Sequence, residues 1–532
     1  MKGLLSKYYT VAVIAIWAII CYTFFQGFYS YYFFYKEQTQ LFLLSSQYLG
    51  TYFNKPAWLA CMIGDFLTQF YYYRFAGAII LVASLLVLGD ISRRSLQRFI
   101  QKDIAFWIAI IIITVEAICH FKAGFALSST IAAIGGFALF YLYSFLKKGW
   151  IKFVVGIAVT LSSYWLFGYG CFVFAILAVI SDIRQSRCRE GNIIFIIIAC
   201  AFAILLRGHY LLTWQESMTY PGIGKLSTPN FTIEKIFQLD NEYYFGHYDK
   251  VANIARNEKQ QIPEVAYFYN LVQARRGMLP DNLFDIYQPL DQGLFIKSGP
   301  DVAMIDLYIQ GAMFYLWGDM TFFEHSSTLA NTFSPNNRNV RMIKQLAEAN
   351  LINNDSTAAM KYLRLLQKTI VYRQWAENRM PGKQTAEVKK EIREKRQFIN
   401  RTDTLRLSGG DTYTVITGLL KSNPDNVIAL DYLLCSELLR KDILNFKKDY
   451  DTYCQDLGKP REKALYQEAL LIYFAGSNSA TQELTDYKIP QDMVDKFKEY
   501  TKIYVQSKGD RTMLTERFEH TYWYYFHFVN TK

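Results

Sequence analysis

Histidine is scarce in this 532-residue chain, and the six present (His120, His209, His247, His325, His520 and His527) include no pair at the spacing of a zinc site. Metal chemistry through histidine is not expected, and no metal or cofactor is assigned. Glycine-rich phosphate loops, nucleophile elbows and kinase signatures are also missing. The eight cysteines form no disulfide framework. Cys435 and Cys454 fall on a helix pair expected to turn near Lys441. At ~1.5 Å of rise per residue they differ in height by roughly 10 Å, beyond the ~7 Å Cα limit of a bridge. No stretch of the second half shows the alternation of a strand, so the fold expected is all-α.

What the chain has in quantity is apolar and aromatic surface, 52% and 17% of its residues, unevenly placed. Through Arg207 it reads as long apolar runs with 17 Lys/Arg against 7 Asp/Glu; beyond that, as a water-soluble sequence with 40 against 39. The basic excess therefore belongs to the apolar half, and a nucleic-acid partner is not expected.

Runs near 8–28, 75–89, 104–119, 124–146, 151–167, 169–181 and 193–206 approach the ~20 residues that cross a bilayer. Basic clusters at Lys2 and Lys7, at Arg93 to Lys102, at Lys147 to Lys152 and at Arg184, Arg187 and Arg189 all fall on one side if there are seven crossings. That side is cytoplasmic. The expectation is a membrane protein with a seven-span module over residues 1–210, its N-terminus in the cytoplasm. A linker over 211–230 then leads to a domain on the outer side over 231–532. Counting the "GYG" turn (168–170) as two crossings, and so keeping the C-terminal half outside, rests on the basic residues at both ends of 150–181. Residues 38–73 are expected to lie along the outer boundary as amphipathic helices. Leu41, Leu44, Tyr48 and Tyr52 form one apolar stripe there. Trp58, Leu59, Met62, Ile63, Phe66 and Leu67 form another, with Cys61, Asp65 and Thr68 opposite and a start near Asn54 and Pro56.

The soluble half alternates 12–18-residue helical patterns with turns such as "WGDM", "NNDS" and "RKDI". Asp319 and Asp355 are 36 residues apart, and the small residues Gly311, Ala330, Ala347 and Ala359 with Phe314 and Pro335 suit stacked helix pairs of the tetratricopeptide type. The charged stretch 383–411 reads as a solvated insertion ending at Gly409 and Gly410, and "YWYYFHF" (522–528) as a last helix packing on the repeats.

Carboxylates near the membrane are the candidate chemistry. Glu37 follows the first run, Asp65 lies on the polar face of the second amphipathic helix, and Glu116 sits with His120 near the end of the third run. An ionisable group at membrane depth is costly and marks a functional candidate; the structural alternative for Glu116 is pairing with Lys122 or Arg74. Seven spans, a long first outer loop holding an acidic residue and an outer domain resemble the membrane module of lipid-linked-sugar glycosyltransferases of the GT-C fold. That resemblance implies a catalytic Glu37, with Asp65 and Glu116 as further candidates, and Arg74 and Arg207 as partners of the substrate phosphate. "KEQ" stands where that family carries an acidic pair. At "EQTQLFL", "WLACMIGDFLTQFYYY", "LAEANLINND" and "KYLRLLQKTIVYRQWAE" the chain also resembles an uncharacterised family of bacterial multi-pass inner-membrane proteins. Two functions follow as expectations: a membrane protein displaying a periplasmic helical-repeat domain for protein interaction or envelope assembly, or a transferase acting on a lipid-linked glycan.

Overall fold

A computed structural model describes residues 2–147, 149–184, 193–296, 304–334, 337–400, 412–477, 484 and 486–529. Among these residues every regular element is a helix. Arg187, Cys188, Arg189, Pro335 and the Gly409–Gly410 stop lie outside the described residues. The chain forms two compact units. One contains 1–237 together with 334–341 and 363–377; the other contains 238–333, 342–362 and 378–532.

In the first unit, α1 (Lys2–Gly27) is followed by the short α2 (Tyr31–Gln38) and α3 (Ser46–Gly50), and then by α4 (Trp58–Thr68) and α5 (Ala76–Leu96). The series continues with α6 (Lys102–Cys119), α7 (Leu127–Tyr143), α8 (Gly149–Phe167), α9 (Gly170–Arg184) and α10 (Ile193–Arg207). Three segments, Tyr8–Gly27, Ala76–Leu96 and Trp150–Phe167, are long and apolar enough to cross a membrane, and Leu127–Tyr143 and Ile193–Arg207 are shorter apolar helices. Helix α7 is central, packing on α4, α5, α8 and α9. Leu88, Ile113, Phe137, Phe140, Phe174 and Phe195 fill the core between these helices. α8 and α9 form an antiparallel hairpin whose far ends are joined by Lys152 Nζ and Asp182 Oδ1 at 3.0 Å. The hairpin turns at Gly168, with φ +53°, where a Cβ would lie 2.1 Å from the Tyr220 carbonyl oxygen. Only glycine fits there.

The 38–73 stretch is more broken than the periodicity predicts. α2 ends at Gln38, residues 40–45 are extended or bent, and the chain resumes as α3, capped by the Ser45 hydroxyl, and a 3-10 turn over Thr51–Asn54. The reason is competition from distant backbone. Leu44 N–H donates to the Lys368 carbonyl at 2.7 Å, and the Gln40 carbonyl accepts from Val340 N–H at 3.2 Å, so local helical bonds are replaced. α4 starts two residues past Pro56. Its cap is Ala57, in the left-handed region at φ 55°, rather than Asn54. The stripe of α4 is as expected: its polar residues Cys61, Asp65 and Thr68 share one cavity wall. Its small face presses on α7, where a Cβ on Gly64 would meet Ser128 N at 2.6 Å.

In the second unit helices adjacent in sequence pack on one another, as Tyr248–Arg256 does on Pro263–Arg275 and Thr412–Ser422 on Val427–Leu439. Three turns share one construction: a residue with positive φ (Gly318, Asn354, Lys441) precedes an aspartate. The side chains of Asp319, Asp355 and Asp442 then accept from the backbone N–H of Phe322 (3.1 Å), Ala358 (2.9 Å) and Asn445 (3.2 Å), capping the next helix. The charged helix Ala386–Arg396 is not merely solvated. Arg396 donates to the Leu351 and Ile352 carbonyls at 2.8 and 2.9 Å, and Lys395 to the Leu316 carbonyl at 2.9 Å, so it closes the exposed C-terminal ends of two other helices. The last helix, Tyr522–Phe528, is packed: Trp523 is buried, and its indole donates to the Glu468 carbonyl at 3.0 Å. Cys435 and Cys454 are buried free thiols.

Candidate functional site

Within the first unit a cavity of about 430 Å³ opens beside α2, α4 and the start of α7. Its position follows from local folding. α2 carries Lys36 to the wall, α4 supplies Cys61, Asp65 and Thr68, the loop before α4 supplies Lys55, and Tyr220 comes from the loop ahead of residue 231. Arg338 arrives from 334–341, far along the chain but part of the same unit. Leu127 and Ser128, the first residues of the 17-residue α7, complete the wall, so the positive end of that helix dipole faces the space.

Asp65 is the only carboxylate on this wall among the described residues, against three cations. Tyr52 Oη donates to Asp65 Oδ2 at 2.8 Å, Tyr48 and Tyr52 share a hydrogen bond of 3.0 Å, and the Arg338 guanidinium lies 4.7 Å from the Tyr48 ring centre. Burial raises the Asp65 carboxyl to about 6, with the Tyr52 bond and Lys55 acting in the opposite direction. Burial lowers the Lys36 ammonium to about 7; it donates to the Phe125 carbonyl and lies 4.5 Å from the Tyr32 ring centre. A weakly acidic carboxyl and a desolvated amine thus line one space, and both titrate near neutrality. Such a set can accept a proton from a hydroxyl while holding an anion.

The other candidates are placed differently. Glu37 is buried and borders a separate small recess. The Tyr372 hydroxyl bridges its two oxygens at 2.9 and 2.8 Å, and the Gln38 amide also donates to it. Glu116 pairs with neither Lys122 nor Arg74; the Thr130 hydroxyl donates to it at 2.7 Å and contacts His120 Nε2 at 2.8 Å. Arg74 is exposed over the Phe75 ring, and Arg207 lies 4.2 Å from the Trp214 ring centre; neither lines the cavity. The cations that do line it are Lys36, Lys55 and Arg338. Lys36 and Lys55 were visible as isolated lysines in an apolar stretch, whereas nothing local marks Arg338 or Tyr372.

A family profile covers residues 6–529. The chain belongs to DUF6057, a family of unknown function. No curated protein and no solved structure matches the chain. The match to DUF6057 spans both compact units.

Proposed function

We propose that this protein is an inner-membrane transferase acting at the outer face on a lipid-linked, phosphate-bearing glycan. Asp65 serves as the base, and Lys36, Lys55 and Arg338 bind the anionic head. The observation that carries the reading is the shared wall: one carboxylate with a pKa near neutrality and three cations surround a cavity on a unit that has membrane-length helices. A polar pocket on a unit with apolar helices suits a substrate with a charged head and an apolar tail. In this reading the apolar helices make seven crossings with the N-terminus in the cytoplasm, and the second unit is a periplasmic tetratricopeptide-like domain that receives the acceptor. Glu37, in its Tyr372 clasp, positions α2 and through it Lys36.

The test replaces the gene with Asp65→Asn and with Glu37→Gln, confirms normal membrane levels, and profiles envelope glycans and lipid-linked intermediates. Loss of one glycan with accumulation of its lipid-linked donor in Asp65→Asn is expected. Wild-type profiles from Asp65→Asn would remove the reading. The aspartate-capped helix pairs of the second unit support the other function, an interaction platform for envelope assembly. That reading is favoured if Asp65→Asn is silent while substitutions on the second unit have a phenotype.

A further inference from the structure

We infer that the cavity takes the head of an anionic amphiphile whose hydrocarbon chain leaves across the rings of Phe53, Trp58 and Trp165. The inference rests on the anion-binding role proposed for the cavity and adds the route of the chain. Lys55, a cation of the wall, falls between Phe53 and Trp58 in sequence. Seven residues, about two helical turns, separate Trp58 from Asp65, with Cys61 between them, so the three follow one line along α4. Cys61 and Asp65 line the cavity; at ~1.5 Å of rise per residue, Trp58 stands roughly 10 Å beyond Asp65. There its ring lies 4.7 Å from that of Phe53 and 5.4 Å from that of Trp165, centre to centre, and the latter two are 6.1 Å apart.

Backbone contacts hold the cluster at the end of α8. The Trp165 indole donates to the Phe53 carbonyl at 3.2 Å, and the Ala57 N–H to the Tyr164 carbonyl at 3.2 Å. Phe53 and Trp165 nevertheless stay 48% and 38% exposed, whereas Leu41 and Leu127 on the cavity wall are buried. Those two leucines are already covered, and the rings are the apolar surface left open to a ligand. Trp165 lies in the last turn of α8, whose segment Trp150–Phe167 is long and apolar enough to cross a membrane. Val154, Ala158 and Ser162 share its exposed face at four- and three-residue spacing, and the Ser162 hydroxyl is spent on the Ala158 carbonyl at 2.9 Å. A chain that crosses the rings passes onto this flank, and indoles suit the boundary between a polar site and hydrocarbon. A small free anion gains nothing from the rings.

The probes are methyl phosphate and octyl phosphate, which share a head and differ in chain. Each apparent Kd is read from thermal stabilisation of the full-length protein in lipid nanodiscs. A methylene moved from water onto the rings is worth about fourfold, so three of them give wild type about a 60-fold preference for octyl phosphate. The double variant Phe53→Ala with Trp165→Ala should leave methyl phosphate binding unchanged, which also shows that it folds, and cut that preference about tenfold. Phe53→Ala alone, with the Trp165 hydrogen bond to backbone kept, should cut it about threefold. A preference of the same size in wild type and both variants sends the chain into bulk lipid or along another path and overturns the route. Equal wild-type binding of the two phosphates also overturns it and leaves the cavity as an anion site. Absence of saturable binding of either phosphate overturns the anion-binding reading as well.

Discussion

Glu437 offers the sharpest physical test of the second unit. It lies on the helix Val427–Leu439 with no exposed surface. Both of its oxygens and Asp449 Oδ2 are buried, and the two carboxyls face each other within hydrogen-bonding reach. Burial, followed by the neighbouring Asp449 carboxyl, raises the Glu437 carboxyl from 4.5 to about 10. The folded protein therefore keeps this proton at pH 7, whereas the unfolded chain releases it. Stability from a raised carboxyl pKa is complete below about 4.5 and is lost as pH climbs toward about 10. Between 4.5 and 7 the loss is about 2.5 pH units at about 1.36 kcal/mol each, or about 3 kcal/mol. Glutamine keeps the shape, never ionises and offers an N–H to Asp449. Glu437→Gln should thus stabilise the protein by about 3 kcal/mol at pH 7, which at roughly 2–4 °C per kcal/mol raises the transition by about 6–12 °C. The gain over wild type should vanish near pH 4.5. Thermal unfolding of the full chain in detergent, followed by tryptophan fluorescence from pH 4.5 to 8, measures it. A variant that is destabilised, or stabilised equally at every pH, would refute the argument.

Three other outcomes follow from the first unit. Gly64→Ala places a methyl 2.6 Å from the Ser128 backbone nitrogen. Separating α4 from α7 should cost about 1–3 kcal/mol, read as a lower transition temperature. Tyr372→Phe removes the hydroxyl from the buried Glu37 carboxylate. It should cost about 1–3 kcal/mol, with a smaller cost in a Glu37→Gln background; equal costs in both backgrounds would show that the two residues are not coupled. Glu234 accepts from Tyr31 N–H at 2.6 Å and Tyr32 N–H at 3.1 Å, a cap for α2 supplied from 200 residues away. Glu234→Ala should therefore speed amide hydrogen exchange through α2 before it affects α5.

The parts of this structure governed by local periodicity were legible in the sequence. The apolar runs are helices, the GYG turn closes a hairpin, and the polar face of α4 carries Asp65 to the cavity. The α3 region was not, because Gln40 and Leu44 exchange backbone bonds with residues 340 and 368, and no window of neighbouring sequence contains those partners. The stripe of Leu41, Leu44, Tyr48 and Tyr52 had the right period, but it treated tyrosines as apolar rings. Their hydroxyls form the bonds that reach Asp65. Arg74 and Arg207 do not line the cavity. The cation that joins the site from the far end of the chain, Arg338, sits in an ordinary polar turn.

The return of residues 334–341 and 363–377 to the first unit sets an order on biosynthesis. The apolar helices leave the ribosome early, yet Glu37 waits for Tyr372 and the cavity waits for Arg338. Until some three hundred further residues have been made, a carboxylate meant for burial lacks the hydroxyl that spans its two oxygens. A nascent chain stalled or clipped near residue 210 would leave an unfinished unit for quality-control proteases. Two separately expressed halves would have to find each other to complete it.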